Sequence, residues 1–315
     1  LARHAALSAI TPPTRACRSR AAELGQLVNY RHAFHAGSFA DVFKHAVLCR
    51  ILHYLRGKPA AFRVIDTHAG AGLYDLTGAE ASRGGEWHDG IERLLAARLA
   101  QPVAALLAPY LDVIGALNER GRLRTYPGSP AIARAWLRPQ DRLIACELEP
   151  KAAASLGRSL RGDNRIKTFA VDGWSALSAY VPPPERRGLV LVDPPFEEES
   201  DFHRLSHGLA GAHRKWATGI YALWYPIKDR GEPDALAKRL RRLGMAKTLR
   251  AELSVAPLSD PTRLNGSGLI LVNPPWTLHG ELSMLLPALA GVLGRQNQGG
   301  FKLDWLSGEA ELAPR

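Results

Sequence analysis

Three cysteines are all that the 315-residue chain has, and Cys17, Cys49 and Cys146 are odd in number and far apart. They supply neither a disulfide framework nor the paired spacing of a zinc ribbon, and they suit a reducing cytoplasm. No apolar run reaches 18 residues, so neither a transmembrane helix nor a membrane partner is expected. No unit recurs at a period of 20–50 residues, which excludes solenoids and propellers. Acidic residues are in the minority: 30 Asp and Glu stand against 41 Lys and Arg, a formal net charge of +11. Residues 1–27 hold four arginines against Glu23, so eight of those eleven positive charges belong to the remainder. A basic body of this kind points to a polyanion, with nucleic acid first.

What is present reads as an ordinary folded protein, 46% hydrophobic and 23% charged. The chain opens on Leu1, and residues 1–28 are rich in Ala and Arg without a periodic apolar face. A displaced start, a disordered tail and a transit peptide are the readings there. The folded domain is expected over residues 29–306, with 307–315 as a tail. Ser38 with Asp41 three residues on forms a capping box, and Phe43, Val47, Ile51 and Leu55 continue a helix to about Arg56.

Phe62 to Ile65 reads as a strand that enters Asp66-Thr67-His68-Ala69-Gly70-Ala71-Gly72, a turn built for close backbone approach to a ligand. A nucleotide-binding unit places an acidic residue about 20 positions after its glycines. Here the first good candidate is Glu147, after the strand Arg142–Cys146, and residues 73–126 read as a mainly helical insertion. Strands and helices then alternate through Lys167–Val171, Gly188–Val192, Gly219–Tyr225, Lys247–Val255 and Gly268–Val272. About seven strands predict a doubly wound α/β domain. The segment after Glu281 reads as a terminal helix and a loose tail.

Gly188-Leu189-Val190-Leu191-Val192 has no polar alternation, as suits a strand buried on both faces. It stops at Asp193-Pro194-Pro195-Phe196, where two prolines force a turn and leave Asp193 at the strand's carboxyl end. Gly268–Val272 ends similarly at Asn273-Pro274-Pro275-Trp276. Catalysis is assigned to Asp193, whose strand should neighbour the glycine-turn strand. Asn273 is read as structural, on a hairpin strand at the sheet's edge.

In order, these pieces resemble an S-adenosylmethionine-dependent methyltransferase acting on amino nitrogens. Longer stretches are similar to one family. They are Tyr-Arg-His-Ala-Phe-His-Ala-Gly with Asp-Val-Phe-Lys-His, Asp-Thr-His-Ala-Gly-Ala-Gly, Tyr-Pro-Gly-Ser-Pro, Asp-Pro-Pro-Phe, Gly-Ile-Tyr-Ala-Leu-Trp-Tyr-Pro and Asn-Pro-Pro-Trp. They resemble the RlmJ family, which methylates N6 of adenine-2030 in 23S ribosomal RNA, from about Asn29 to near Leu306. The resemblance implies a Rossmann-like class I fold with a helical insertion. It also implies S-adenosyl-L-methionine as cofactor, protein-free or partly assembled 23S rRNA as partner, and a cytoplasmic monomer. By it, His45, His68, Ser129, Glu147, Asp172 and Gly173 contact the cofactor, and Asp193 is catalytic. Tyr30, His32, Pro194 and Phe196 face the substrate.

Other readings stay beside these. His32, His35, His45 and His68 carry no thiolate or open-site pattern for a metal, and His45 read alone is a partner for Asp41 one turn earlier. Arg186-Arg187 and His213-Arg214-Lys215 are candidate phosphate contacts. A DNA N6-adenine methyltransferase shares the Asp-Pro-Pro-Phe pattern, and a basic RNA-binding protein without catalysis would share the charge.

Overall fold

The structure, a computed structural model, describes residues 31–198 and 200–308. The expected extension over 1–28, Tyr30, and residues 309–315 of the expected tail lie outside the described residues. After a short turn at His32–Phe34, helix α1 (Phe39–Arg56) leads to strand β1 (Arg63–Asp66). A ribbon of β2 (Leu73–Asp75) paired with β3 (Thr125–Pro127) then brackets helices α2 (Ala79–Gly84), α3 (Arg93–Ala96) and α4 (Gln101–Leu117). Strict alternation follows: α5 (Ser129–Trp136), β4 (Arg142–Cys146), α6 (Pro150–Ser159), β5 (Ile166–Phe169), α7 (Gly173–Ala179), β6 (Gly188–Val192), α8 (Asp201–Lys215), β7 (Ile220–Ile227) and α9 (Gly231–Arg242). The chain closes with β8 (Thr248–Ser254), β9 (Gly266–Val272), α10 (Leu278–Leu293) and β10 (Gly300–Ser307).

One sheet of eight strands holds these layers apart, in the order β10-β8-β9-β7-β6-β1-β4-β5. The five strands from β7 to β5 are parallel, and β9, β8 and β10 are antiparallel additions. From β1 the chain winds outward through β4 and β5, then returns to β6 and winds the other way. The switch point therefore lies between β1 and β6, where an α/β sheet opens a crevice for ligands. Apolar residues of α1, α4, α5 and α10 fill one face, and those of α8 and α9 fill the other. Strand β7 shows the division by simple alternation: Tyr221, Leu223, Tyr225 and Ile227 join the second core, Ile220 and Ala222 the first.

Three details depart from the sequence reading. Strand β9 is not an edge: it lies between β7 and β8, and all seven of its residues are buried. The segment read as a loose tail supplies the true edge, β10, which pairs antiparallel with β8 and buries Leu306. Pro226 does not close β7, which runs on to Ile227. Beyond Leu223 that strand pairs only with β9, so a residue without an N–H is tolerated there.

The bracketed segment and the amino-terminal turn are pressed together at two glycines. A methyl group on Gly84 would sit 1.9 Å from the Phe34 carbonyl oxygen, and one on Gly90 would sit 2.0 Å from that of Gly37. The Ile91 N–H donates to that same Gly37 carbonyl at 2.9 Å. Gly115, inside α4, meets nothing within 4 Å. Gly90→Ala is therefore expected to lower unfolding free energy by about 1–3 kcal/mol through overpacking. Gly115→Ala is expected to raise it by about 0.5–1 kcal/mol through helix propensity. Urea unfolding followed by circular dichroism would check both signs.

Candidate active site

Where β1 and β6 part, a cavity of about 640 Å³ opens at the carboxyl ends of the strands. Its wall is drawn from the glycine turn after β1, the residues after β4 and β6, the start of α5, and the amino-terminal turn. The register explains the convergence. Asp66 pairs with Ala145 on one side and Leu191 on the other, so the residues just beyond these positions emerge at one level.

On the β4 side stands Glu147. Its carboxylate accepts the Gly70 N–H at 2.8 Å and the Glu149 N–H at 2.8 Å, which fixes the glycine turn against it. Gly70 adopts φ +64°, a left-handed conformation that an ordinary residue resists. Burial raises the Glu147 carboxyl above its usual range, against the pull of those amides. Beneath the turn, the fully buried Asp66 accepts the Ser129 hydroxyl at 2.7 Å on one oxygen, and its other oxygen has no hydrogen-bond partner. Burial pushes this carboxyl up to about 7.

Two histidines complete that half. His68 Nδ1 lies 2.8 Å from the Thr67 hydroxyl, and its ring meets Trp174 edge-on. His45 Nδ1 lies 2.8 Å from the Tyr126 hydroxyl, which in turn lies 2.9 Å from that of Tyr110. His45 thus has a tyrosine as its hydrogen-bond partner, where the sequence offered Asp41. Burial pulls both imidazoles down to about 4, so they are neutral at pH 7.

On the β6 side stands Asp193, and it does not stand alone. Lys44 donates to its Oδ2 at 2.7 Å and lies 3.2 Å from Asp41 Oδ1. Asp41 also accepts the Gly37 N–H at 2.9 Å and lies 3.0 Å from His32 Nε2. The capping box is thus partly redirected: Ser38 accepts the Asp41 N–H, while the Asp41 carboxylate reaches back one residue past the cap and into the site. Burial opposes ionisation of Asp41, but His32 and Lys44 outweigh it and hold this carboxyl well below the usual range. Burial likewise disfavours the Lys44 ammonium, and the carboxylates of Asp193 and Asp41 more than compensate, raising its pKa. Lys44 is the residue that sequence reasoning passed over, although it lies in the quoted Asp-Val-Phe-Lys-His. Its i, i+3 spacing from Asp41 is the one local signal.

Of the residues singled out in the sequence, His32, His45, His68, Ser129, Glu147, Asp193 and Pro194 line this one cavity. Asp172, Gly173 and Phe196 are not part of its wall. The Asp172 carboxylate caps α7, accepting the Ser175 N–H at 2.8 Å and its hydroxyl at 2.9 Å. Gly173 packs under His68, where a methyl group would come within 2.5 Å of the ring. Phe196, at φ +53°, turns its ring toward Phe202 and Trp224. Asn273 is held far down the sheet, donating to the Ala217 and Gly219 carbonyls at 2.7 and 2.9 Å. Arg187 precedes β6, at the end opposite Asp193, and donates to the Leu55 and Ala60 carbonyls. Among the described residues no group of three His, Cys, Asp or Glu is arranged to hold a metal ion, and no helix is long and apolar enough to cross a membrane.

The cavity wall is acidic although the chain is basic: Asp41, Asp75, Glu80, Glu147, Glu149 and Asp193 face it against Arg31 and Lys151. With His45 and His68 neutral, such a pocket favours a small ligand that carries positive charge.

Comparison with known proteins bears on what that ligand serves. A family model described as "Ribosomal RNA large subunit methyltransferase D, RlmJ" matches residues 59–307. Ribosomal RNA large subunit methyltransferase J of Escherichia coli is 40% identical over 280 residues, covering 89% of this chain and 99% of that protein. The protein of the same name from Haemophilus influenzae is 38% identical over 284 residues, covering 90% of this chain and all of its own length (100%). A crystal structure of protein LPL1258 from Legionella pneumophila superposes with a TM-score of 0.78 at 33% identity, covering 86% of this chain and 98% of that one. The chain belongs to the RlmJ family of methyltransferases.

Proposed function

We propose that this chain transfers a methyl group from S-adenosyl-L-methionine to the exocyclic N6 of a single adenine, adenine-2030, of 23S rRNA. The relatives are named for methylation of large-subunit ribosomal RNA. The observation that carries the finer reading is the pairing of two carboxylates across the switch point, Glu147 on the β4 side and Asp193 on the β6 side of one cavity. The acidic wall suits this cofactor, which bears an ammonium and a sulfonium; when bound it supplies an electrophilic methyl group.

The residues divide the work. Glu147 has lone pairs left after its two backbone partners and is the acceptor for the ribose hydroxyls. Ser129, His45 and His68 border the same half, and neutral imidazoles do not repel a sulfonium. Asp193 and the carbonyl of Pro194 are acceptors for the two N6 hydrogens. An aromatic amino nitrogen is a poor nucleophile because its lone pair is delocalised into the ring. Accepting both hydrogens lets that nitrogen become more tetrahedral and aims the lone pair at the methyl carbon. Held in line, it needs no metal, since positioning supplies much of the acceleration. Lys44 competes for Asp193 and has Asp41 as its second partner, so an entering amino group can exchange for the ammonium without leaving a buried charge unpaired. The positive surface attracts the RNA backbone, a salt-sensitive contribution that carries no sequence information. The cytoplasm, a monomer, and rRNA that is protein-free or partly assembled complete the proposal.

Transfer of tritium from labelled cofactor to unmodified, deproteinised 23S rRNA is the direct test, with mapping of the modified base. Label on DNA alone would refute the RNA reading in favour of a DNA N6-adenine methyltransferase, and RNA binding without transfer would favour a non-catalytic binder. Asp193→Ala is expected to fold and to bind cofactor, and to lose transfer by at least about 100-fold in kcat. Glu147→Ala is expected to weaken cofactor binding by about 10–100-fold in calorimetry, through two lost charge-assisted hydrogen bonds.

A further inference from the structure

We propose that the indole of Trp224, and not the ring of Phe196, is the surface on which the target base stacks. The inference rests on the reading above that the site receives an adenine amino group. The register of β6 and β7 pairs Val192 with Leu223, so Asp193 and Trp224, next along each strand, stand side by side at the carboxyl ends. Because Leu223 and Tyr225 point into the core under α8 and α9, alternation sends Trp224 to the opposite face. There it is partly buried and lines the cavity together with Asp193, Pro194 and Pro195.

Its attachment suits a platform. Trp224 Nε1 donates to the Ser267 hydroxyl of β9 at 2.7 Å, which satisfies the one polar atom of the ring and fixes its plane. Phe196 meets it nearly perpendicularly, with centroids 5.5 Å apart and planes at 77°, and packs against Phe202 at 4.8 Å. Phe196 is therefore a buttress behind the indole rather than a wall of the cavity.

A second observation marks where the amino group goes. The Lys44 ammonium lies 4.7 Å from the centroid of the Trp224 ring while donating to Asp193 Oδ2 at 2.7 Å. One nitrogen donor thus meets the carboxylate and the aromatic surface together, as the exocyclic amine of a purine stacked on that indole does. Lys44 holds the place of N6, and base entry moves the ammonium toward Asp41. A small cavity of about 30 Å³ is bordered by Lys44, Asp193 and Trp224 beside this contact.

The test measures binding of adenosine 5′-monophosphate to the full chain saturated with S-adenosylhomocysteine, by calorimetry. Trp224→Leu, of similar polarity but without a π face, is expected to weaken binding by roughly 5–100-fold. Trp224→Phe is expected to stay within about threefold of wild type, since every aromatic ring offers a π face. Both variants should keep the S-adenosylhomocysteine affinity of wild type, and both should melt at a lower temperature to a similar extent, since each leaves the buried Ser267 hydroxyl without its indole partner. Equal binding by wild type and Trp224→Leu would overturn the inference. So would loss of S-adenosylhomocysteine affinity in both variants, which would mark Trp224 as structural. No binding of the nucleotide by wild type would bring down the adenine reading itself, and this inference with it.

Discussion

A carboxylate sealed from water must find its partners inside the protein, and Asp41 is that carboxylate here. It is 1% exposed and is held by the Gly37 amide, His32 and Lys44. Through Lys44 the chain of charge reaches Asp193 on the far side of the switch point. Removing Lys44 would take from the buried Asp41 its ammonium partner, a costly loss in a low-dielectric surrounding. The first turn of α1, the amino-terminal turn and the end of β6 are therefore fixed relative to one another by one electrostatic requirement. Everything placed by those three elements inherits that geometry.

The same logic separates inside from outside. A chain with net charge +11 lines its cavity with more carboxylates than cations, so the charge of the wall is opposite in sense to that of the whole chain. A polyanion is drawn to the surface, while a small cation is drawn inward. Burial keeps His45 and His68 uncharged and stops the pocket from losing that sign as the pH falls toward neutrality.

Much of this was legible in the residues, for local reasons. Unalternated apolar runs such as Leu189–Val192 announce strands covered on both faces, and Pro194-Pro195 announces where one must end. Asp193 and Glu147 could be picked out because a strand's end is a local event. What escaped was decided at a distance. Lys44 meets a partner 149 positions away, and no local pattern encodes that. The place of β9 between β7 and β8 depends on the order of the whole sheet. Phe196 reads as a stacking ring in the motif, and its contacts with Phe202 and Trp224 are likewise made at a distance in the chain. Asp172 carries the opposite lesson: Asp-Gly-Trp-Ser is itself a helix-cap pattern, and one oxygen of the carboxylate is engaged in that cap.

The insertion of β9 also sets an order of events during synthesis. Strand β7 is made well before β9, and between Leu223 and Ile227 its only sheet partner is that later strand. While the ribosome is still making residues 228–265, β7 presents an unpaired apolar edge to whatever is near. Such edges are where nascent chains mispair and aggregate. The last hairpin closes that edge and brings Ser267 to the indole of Trp224 in the same act.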